Sequence, residues 1–202
     1  MWDRIAQLTA PAVEPLSLAE VKAHCRVDAS HEDDFLTRAI RAARQLLEGP
    51  HGAGLALVAA EWQLRLDAFP AEIWVPMGPV LSIDAIEYLG AGGALQTVAP
   101  ERYQWRQGTY EARIKPLPAL SWPVQAHGRY DSVRVTFTAG FPGTQENPPN
   151  LAAIPEPLLK AMLMLVSHWN EHRETAVIGQ VPAEVQFGFN DLVNRARVGR
   201  FA

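Results

Sequence analysis

Residues 61–70 read Glu61-Trp-Gln-Leu-Arg-Leu-Asp-Ala-Phe-Pro70. Trp62, Leu64, Leu66 and Ala68 alternate with Glu61, Gln63, Arg65 and Asp67. A period of two marks a strand with one face buried and one face wet. The stretch decides the fold because the helical period before it gives way here to a period of two.

Upstream, Phe35, Leu36, Ala39, Ile40, Ala43, Leu46 and Leu47 recur at helical spacing, while Arg38, Arg41 and Arg44 line another face. Ser30-His31-Glu32-Asp33 reads as a capping box, and Glu32, Asp33 and Asp34 complement the dipole of the helix it opens. Gly49-Pro50 ends that helix. A shorter helix, about 18–26, follows a second box, Ser17-Leu18-Ala19-Glu20, with Leu18, Val21 and Cys25 inward. The first fifteen residues hold two prolines and little periodicity, which predicts an arm.

Downstream the strand pattern continues. Ile73 to Val75 is a short edge piece, and Pro76 and Pro79 bracket a turn. Val80 to Leu89 is a strand, closed by a hairpin turn at Gly90, Gly92 and Gly93. Further strands fit near Arg102–Trp105, Tyr110–Lys115 and Ser132–Ala139, giving an antiparallel block of five or six strands. Gly140 to Pro157 holds five prolines and two glycines, a loop long for a compact domain. A third helix, about 156–174, places Leu158, Leu159, Met162, Leu165, Val166 and Trp169 on one face. A fourth, about 184–195, leads into Arg195-Ala-Arg-Val-Gly-Arg-Phe-Ala.

The fold class is therefore α+β: a small helical bundle of about four helices with an antiparallel β-rich insertion between the second and third. The division expected is an arm at 1–15, a single domain at 16–197 and a tail at 198–202. Within the domain, the helices lie at about 17–49 and 155–196 and the insertion at about 57–140.

A net charge of −4 argues against avid DNA binding, which draws most of its affinity from cations on phosphate. Cys25 is the only cysteine, so neither an intramolecular disulfide nor a thiolate zinc cluster forms. It reads as a small buried hydrophobe. No apolar signal core opens the chain and no run of 18 apolar residues occurs, so folding in a cytoplasm and no membrane partner are expected.

His168, Glu171 and His172 spell H-x-x-E-H. Two imidazoles four apart on a helix can share one metal, with Glu171 as general base of a small metal-dependent hydrolase. Against this, His24, His31, His51 and His127 have no flanking pattern that supplies a third ligand. The helix also spends its apolar face on packing, and ion pairs explain the polar end. Helix capping explains Glu32-Asp33-Asp34 without a cation. No G-x-S-x-G, G-x-G-x-x-G or G-x-x-x-x-G-K-[ST] is present. The reading is no catalytic residue, no metal and no cofactor. The six tryptophans are expected mostly in the core. The basic C-terminal residues read either as a frayed end or as an arm that docks on a partner.

The order of blocks carries a resemblance. Leu16-Ser-Leu-Ala-Glu-Val-Lys22 is followed by Arg26-Val-Asp28, Glu32-Asp-Asp34, the 61–70 stretch and Pro76-Met-Gly-Pro-Val-Leu-Ser-Ile-Asp-Ala-Ile-Glu-Tyr88. Ser121-Trp-Pro123, Val133-Arg-Val-Thr-Phe-Thr-Ala-Gly-Phe141, Ile154-Pro-Glu-Pro-Leu-Leu-Lys-Ala-Met162, His168-Trp-Asn-Glu-His-Arg-Glu174 and Leu192-Val-Asn-Arg-Ala-Arg-Val198 complete the series. Over about 15–199 the chain resembles the head–tail connector (adaptor) proteins of long-tailed phages and of gene transfer agents. The resemblance implies a virion protein at the head–tail junction and not an enzyme. It implies a ring, usually of twelve copies, under the portal, joined below to stopper, head-completion or tail-terminator proteins, with DNA passing through the axis without being gripped. It also implies that the C-terminal segment engages the portal, which makes Arg195, Arg197, Val198, Arg200 and Phe201 the candidate portal contacts. A DNA-packaging accessory absent from the mature particle is the other non-enzymatic reading.

Overall fold

The computed structural model describes residues 4–49, 52–126, 128–172, 189 and 191–193. Its elements in chain order are β1 (Ile5–Gln7), α1 (Leu18–Cys25), α2 (Asp33–Leu47), β2 (Ala60–Leu66), β3 (Ile73–Val75), β4 (Val80–Leu89), β5 (Leu95–Thr97), β6 (Tyr103–Gln107), β7 (Ala112–Pro116), β8 (Val133–Ala139) and α3 (Glu156–Glu171). The α+β class and the β-insertion between the second and third helices are as expected. Phe189 and residues 191–193 are helical, inside the stretch expected as a fourth helix; the rest of that stretch lies outside the described residues.

The capping box at α1 forms as read. The Glu20 N–H donates to Ser17 Oγ at 3.2 Å, and the Ser17 N–H donates to Glu20 Oε2 at 2.8 Å. Such a cap is worth about 1 kcal/mol. The Ser17 hydroxyl, which donates to Glu20 Oε2 at 2.6 Å, and the Ser17 N–H together hold the Glu20 carboxyl below its ordinary pKa. The second box does not form. Ser30–Glu32 makes a 3-10 turn, so the chain enters α2 already helical and Glu32, its N-cap, makes no side-chain cap. Asp33 instead accepts from Lys22 Nζ at 2.6 Å, tying the two helices.

Two side chains of α2 exchange the roles the pattern gave them. Leu46 is 54% exposed, and Arg44, expected on the wet face, is 2% exposed. The cause is phase: Leu36, Ile40, Arg44 and Glu48 follow one another at i+4, so the stripe facing α1 and α3 runs on into two charged residues. Their charges are answered by each other, as described below.

The insertion holds more strands than the five or six expected, and they divide into two sheets. The five-stranded sheet has the order β1-β2-β8-β4-β5 and the three-stranded sheet the order β3-β7-β6. All neighbours are antiparallel. The additional strand in the first sheet comes from the expected N-terminal arm: Ile5 pairs with Leu64 and Gln7 with Trp62. β8 is central, placing Phe137 between Trp62 of β2 and Ile83 of β4. The inward sides of both sheets form one apolar core around Phe137, Ile73, Ile86 and Ile114. A second core joins α1, α2 and α3 through Leu36, Leu47, Leu158 and Met162.

Three of the five described tryptophans, Trp62, Trp122 and Trp169, lie in or against the two cores. Trp62 alone of those described is fully buried; Trp74, Trp122 and Trp169 are half-buried, and Trp105 is exposed. The loop after β8 is pinned, not free-standing. Thr144 Oγ1 donates to the Phe141 carbonyl at 2.6 Å and accepts from the Ala59 N–H at 2.9 Å.

Candidate functional site

The H-x-x-E-H group stands at the end of α3. The His172 N–H closes the last turn on the His168 carbonyl at 2.9 Å, and the two rings lie 4.9 Å apart, tilted by 58°. The structure thus brings the two imidazoles together as the spacing requires. It brings no further ligand to them: among the described residues no group of three His, Cys, Asp or Glu side chains could hold a metal ion. His31 is occupied with Glu32 at 3.2 Å, and His51 and His127 lie outside the described residues. Cys25 packs against the helical core, and its thiol is pushed up by burial and by the nearby Glu171 carboxylate. A thiol so placed stays protonated and inert.

The strongest polar network is structural. Arg44 reaches Glu14 with Nε at 2.7 Å and Nη2 at 3.3 Å, and Glu48 with Nη1. Glu48 Oε1 also accepts from the Leu57 N–H at 2.9 Å. Burial pushes the Glu48 carboxyl up, while Arg44 and the Leu57 and Val58 N–H groups pull against it. Burial opposes the Arg44 charge as well, but Glu14 and Glu48 more than restore it. The network locks the N-terminal segment, the end of α2 and the entry to β2 into one unit.

The most distinctive surface lies on the three-stranded sheet. The register sets Trp74 opposite Arg113 and Arg113 opposite Arg106, with Lys115 opposite Gln104, so all five share the outer face. The Arg113 guanidinium stacks 5.1 Å from the Trp74 ring. It is held by Glu72 at 3.5 Å and Glu111 at 3.3 Å, and Trp74 Nε1 donates to Glu111 at 2.6 Å. Glu72, Gln104, Trp105, Arg106, Arg113 and Lys115 line a cleft of about 320 Å³ there. The sequence carried the signal in the alternation Gln104-Arg106 and Arg113-Lys115, but only pairing β6 with β7 puts those residues side by side. The candidate portal contacts Arg195, Arg197, Val198, Arg200 and Phe201 lie outside the described residues.

Residues 15–86 match the family described as Phage gp6-like head-tail connector protein. A chain in the neck of an empty GTA particle computed with C6 symmetry is 27% identical, with a TM-score of 0.76 over 98% of this chain and 97% of that one. The chain is thus similar, over residues 15–86 and end to end in fold, to head–tail connector proteins and to neck chains of gene transfer agents. Chains in the virion of a native gene transfer agent particle and in the neck of a native GTA particle computed with C12 symmetry are each 25% identical. Both have TM-scores of 0.70 over 98% of this chain and 97% of those chains. No curated protein matches this chain by sequence. The family match covers β1's partner strand and most of β4 as well as α1 and α2, so the β-insertion begins within the shared region.

Proposed function

We propose that this chain is a connector, a structural adaptor of the particle neck, forming a ring under the portal, joined below to stopper or tail proteins, with DNA passing along its axis. Its role is mechanical, not catalytic. The observation that carries this is the end-to-end likeness to a chain of a GTA neck, over 98% of one and 97% of the other at 27% identity. The C12 symmetry of the native neck supports twelve copies. A ring needs two different patches on each subunit, because its contacts are heterologous and close by rotation. A conduit also must let DNA slide, and a chain of net charge −4 does not grip phosphate. Mass spectrometry of purified particles tests the role. The connector is expected at a copy number near that of the portal; its absence from intact particles would make it a packaging accessory.

In this reading residues 16–197 work as one adaptor domain and the C-terminal Arg195, Arg197, Val198, Arg200 and Phe201 contact the portal. Arginines and a terminal aromatic are the residue types that anchor interfaces. Deleting Val198–Ala202 is expected to leave a soluble protein with an unchanged melting temperature that no longer pulls down portal. Undiminished portal binding would remove the tail from the interface.

A further inference from the structure

The cleft on the three-stranded sheet holds cations that the chain itself leaves unanswered. Arg113 is committed, stacked on Trp74 and paired with Glu72 and Glu111, so it forms a fixed wall. Arg106 and Lys115 are exposed, and among the described residues neither makes an ion pair or a side-chain hydrogen bond. Trp74 shares that face, half-buried against the Arg113 guanidinium. Arginine and tryptophan side by side around a concavity are the usual anchors of a protein interface.

The complementary charge lies elsewhere on the same chain. Asp34 is exposed in the first turn of α2 and Asp28 in the link that leads to it from α1, and neither has an ion pair among the described residues. Asp33 beside them is already held by Lys22. The opposite end of α2 is tied to the β-insertion: Glu48 bridges to Leu55, Leu55 to Gly78, and Gly78 packs against the Tyr110 backbone just before β7. Fifteen residues of helix set the acidic end roughly 20 Å from that joint, at 1.5 Å per residue.

We propose that the Arg106–Lys115 cleft docks the acidic N-terminal end of α2 from a second copy of this chain. The inference rests on the ring reading and names the pair of patches that reading requires. Two unlike patches of one chain make a head-to-tail contact, the kind that closes into a ring. A nucleic acid fits the cleft less well. Glu72 and Glu111 stand among its cations, and the chain as a whole is acidic.

Sedimentation of the purified full chain across concentration gives the test. Wild type is expected to self-associate, more weakly at high salt because the contacts are between surface charges. The double variant R106E/K115E is expected to weaken association at least tenfold with an unchanged melting temperature. Adding D28K/D34K to it should restore association, since each reversed charge then meets its opposite. Unchanged association in R106E/K115E overturns the inference, as does failure of the fourfold variant to recover. A wild type that stays monomeric at every concentration overturns it too. Retention of duplex DNA that R106E/K115E abolishes, with association untouched, assigns the cleft to DNA instead. Particles whose necks keep a normal ring of R106E/K115E chains would leave the adaptor role standing and remove only this contact.

Discussion

Arg44→Ala is expected to lower the unfolding free energy by about 3–5 kcal/mol, the range found when one partner of a buried ion pair is removed. The side chains of Arg44 and Glu48 are each 3% exposed, so the stranded Glu48 carboxylate has no water to replace the guanidinium. Glu14, 26% exposed, would be less affected because solvent reaches it. A second variant separates charge from packing. In R44M/E48Q both charges go together, the Met keeps most of the volume, and the Gln carbonyl still accepts from the Leu57 N–H. It should recover more than half of the loss, because a buried ion pair is costly to break but often cheap to replace whole. Urea unfolding of the three proteins gives the comparison. Equal stability of R44A and wild type would mean that the network contributes nothing to holding the N-terminal segment on α2.

Phe137→Ala is expected to cost about 3–5 kcal/mol as well, by a different route. Phe137 is fully buried on the central strand β8, flanked in register by Trp62 and Ile83. Truncation removes a large apolar side chain and leaves a cavity that the two neighbouring strands, each hydrogen-bonded to β8, cannot close. For a chain of this size the thermal midpoint should fall by roughly 6–20 °C. Val124→Ala is the control: Val124 is 74% exposed, so it should change stability by less than about 0.5 kcal/mol. A small effect at Phe137 would place the core somewhere other than between the sheets.

Much of this fold is legible in the sequence because its signals are local. The alternation in β2 and β8 and the stripe in α2 state their own element and face. What stayed hidden depends on partners distant in sequence. β1 is three residues in a proline-bearing segment, too short for a period, and becomes a strand only because β2 offers an edge. The division of eight strands into two sheets is a matter of pairing, which no single segment encodes. Arg44 has the charge of a wet-face residue but sits four residues after Ile40 on the buried stripe, where Glu48 four further on answers it. At Ser30 the residue types of a capping box are present, but the backbone enters α2 through a 3-10 turn. The site was legible in the same uneven way. The H-x-x-E-H pair is a one-helix motif that the sequence displays directly, yet among the described residues its rings meet without a third ligand. The basic cleft was invisible because it needs β6 and β7 registered against each other.

The central claim is that this chain is built into the neck as a ring, and cryo-electron microscopy of the particle neck addresses it most directly. The account predicts a ring of twelve copies immediately below the portal, with the C-terminal segment of each reaching up to it. Intact, DNA-filled particles whose necks contain no density for this chain would contradict it.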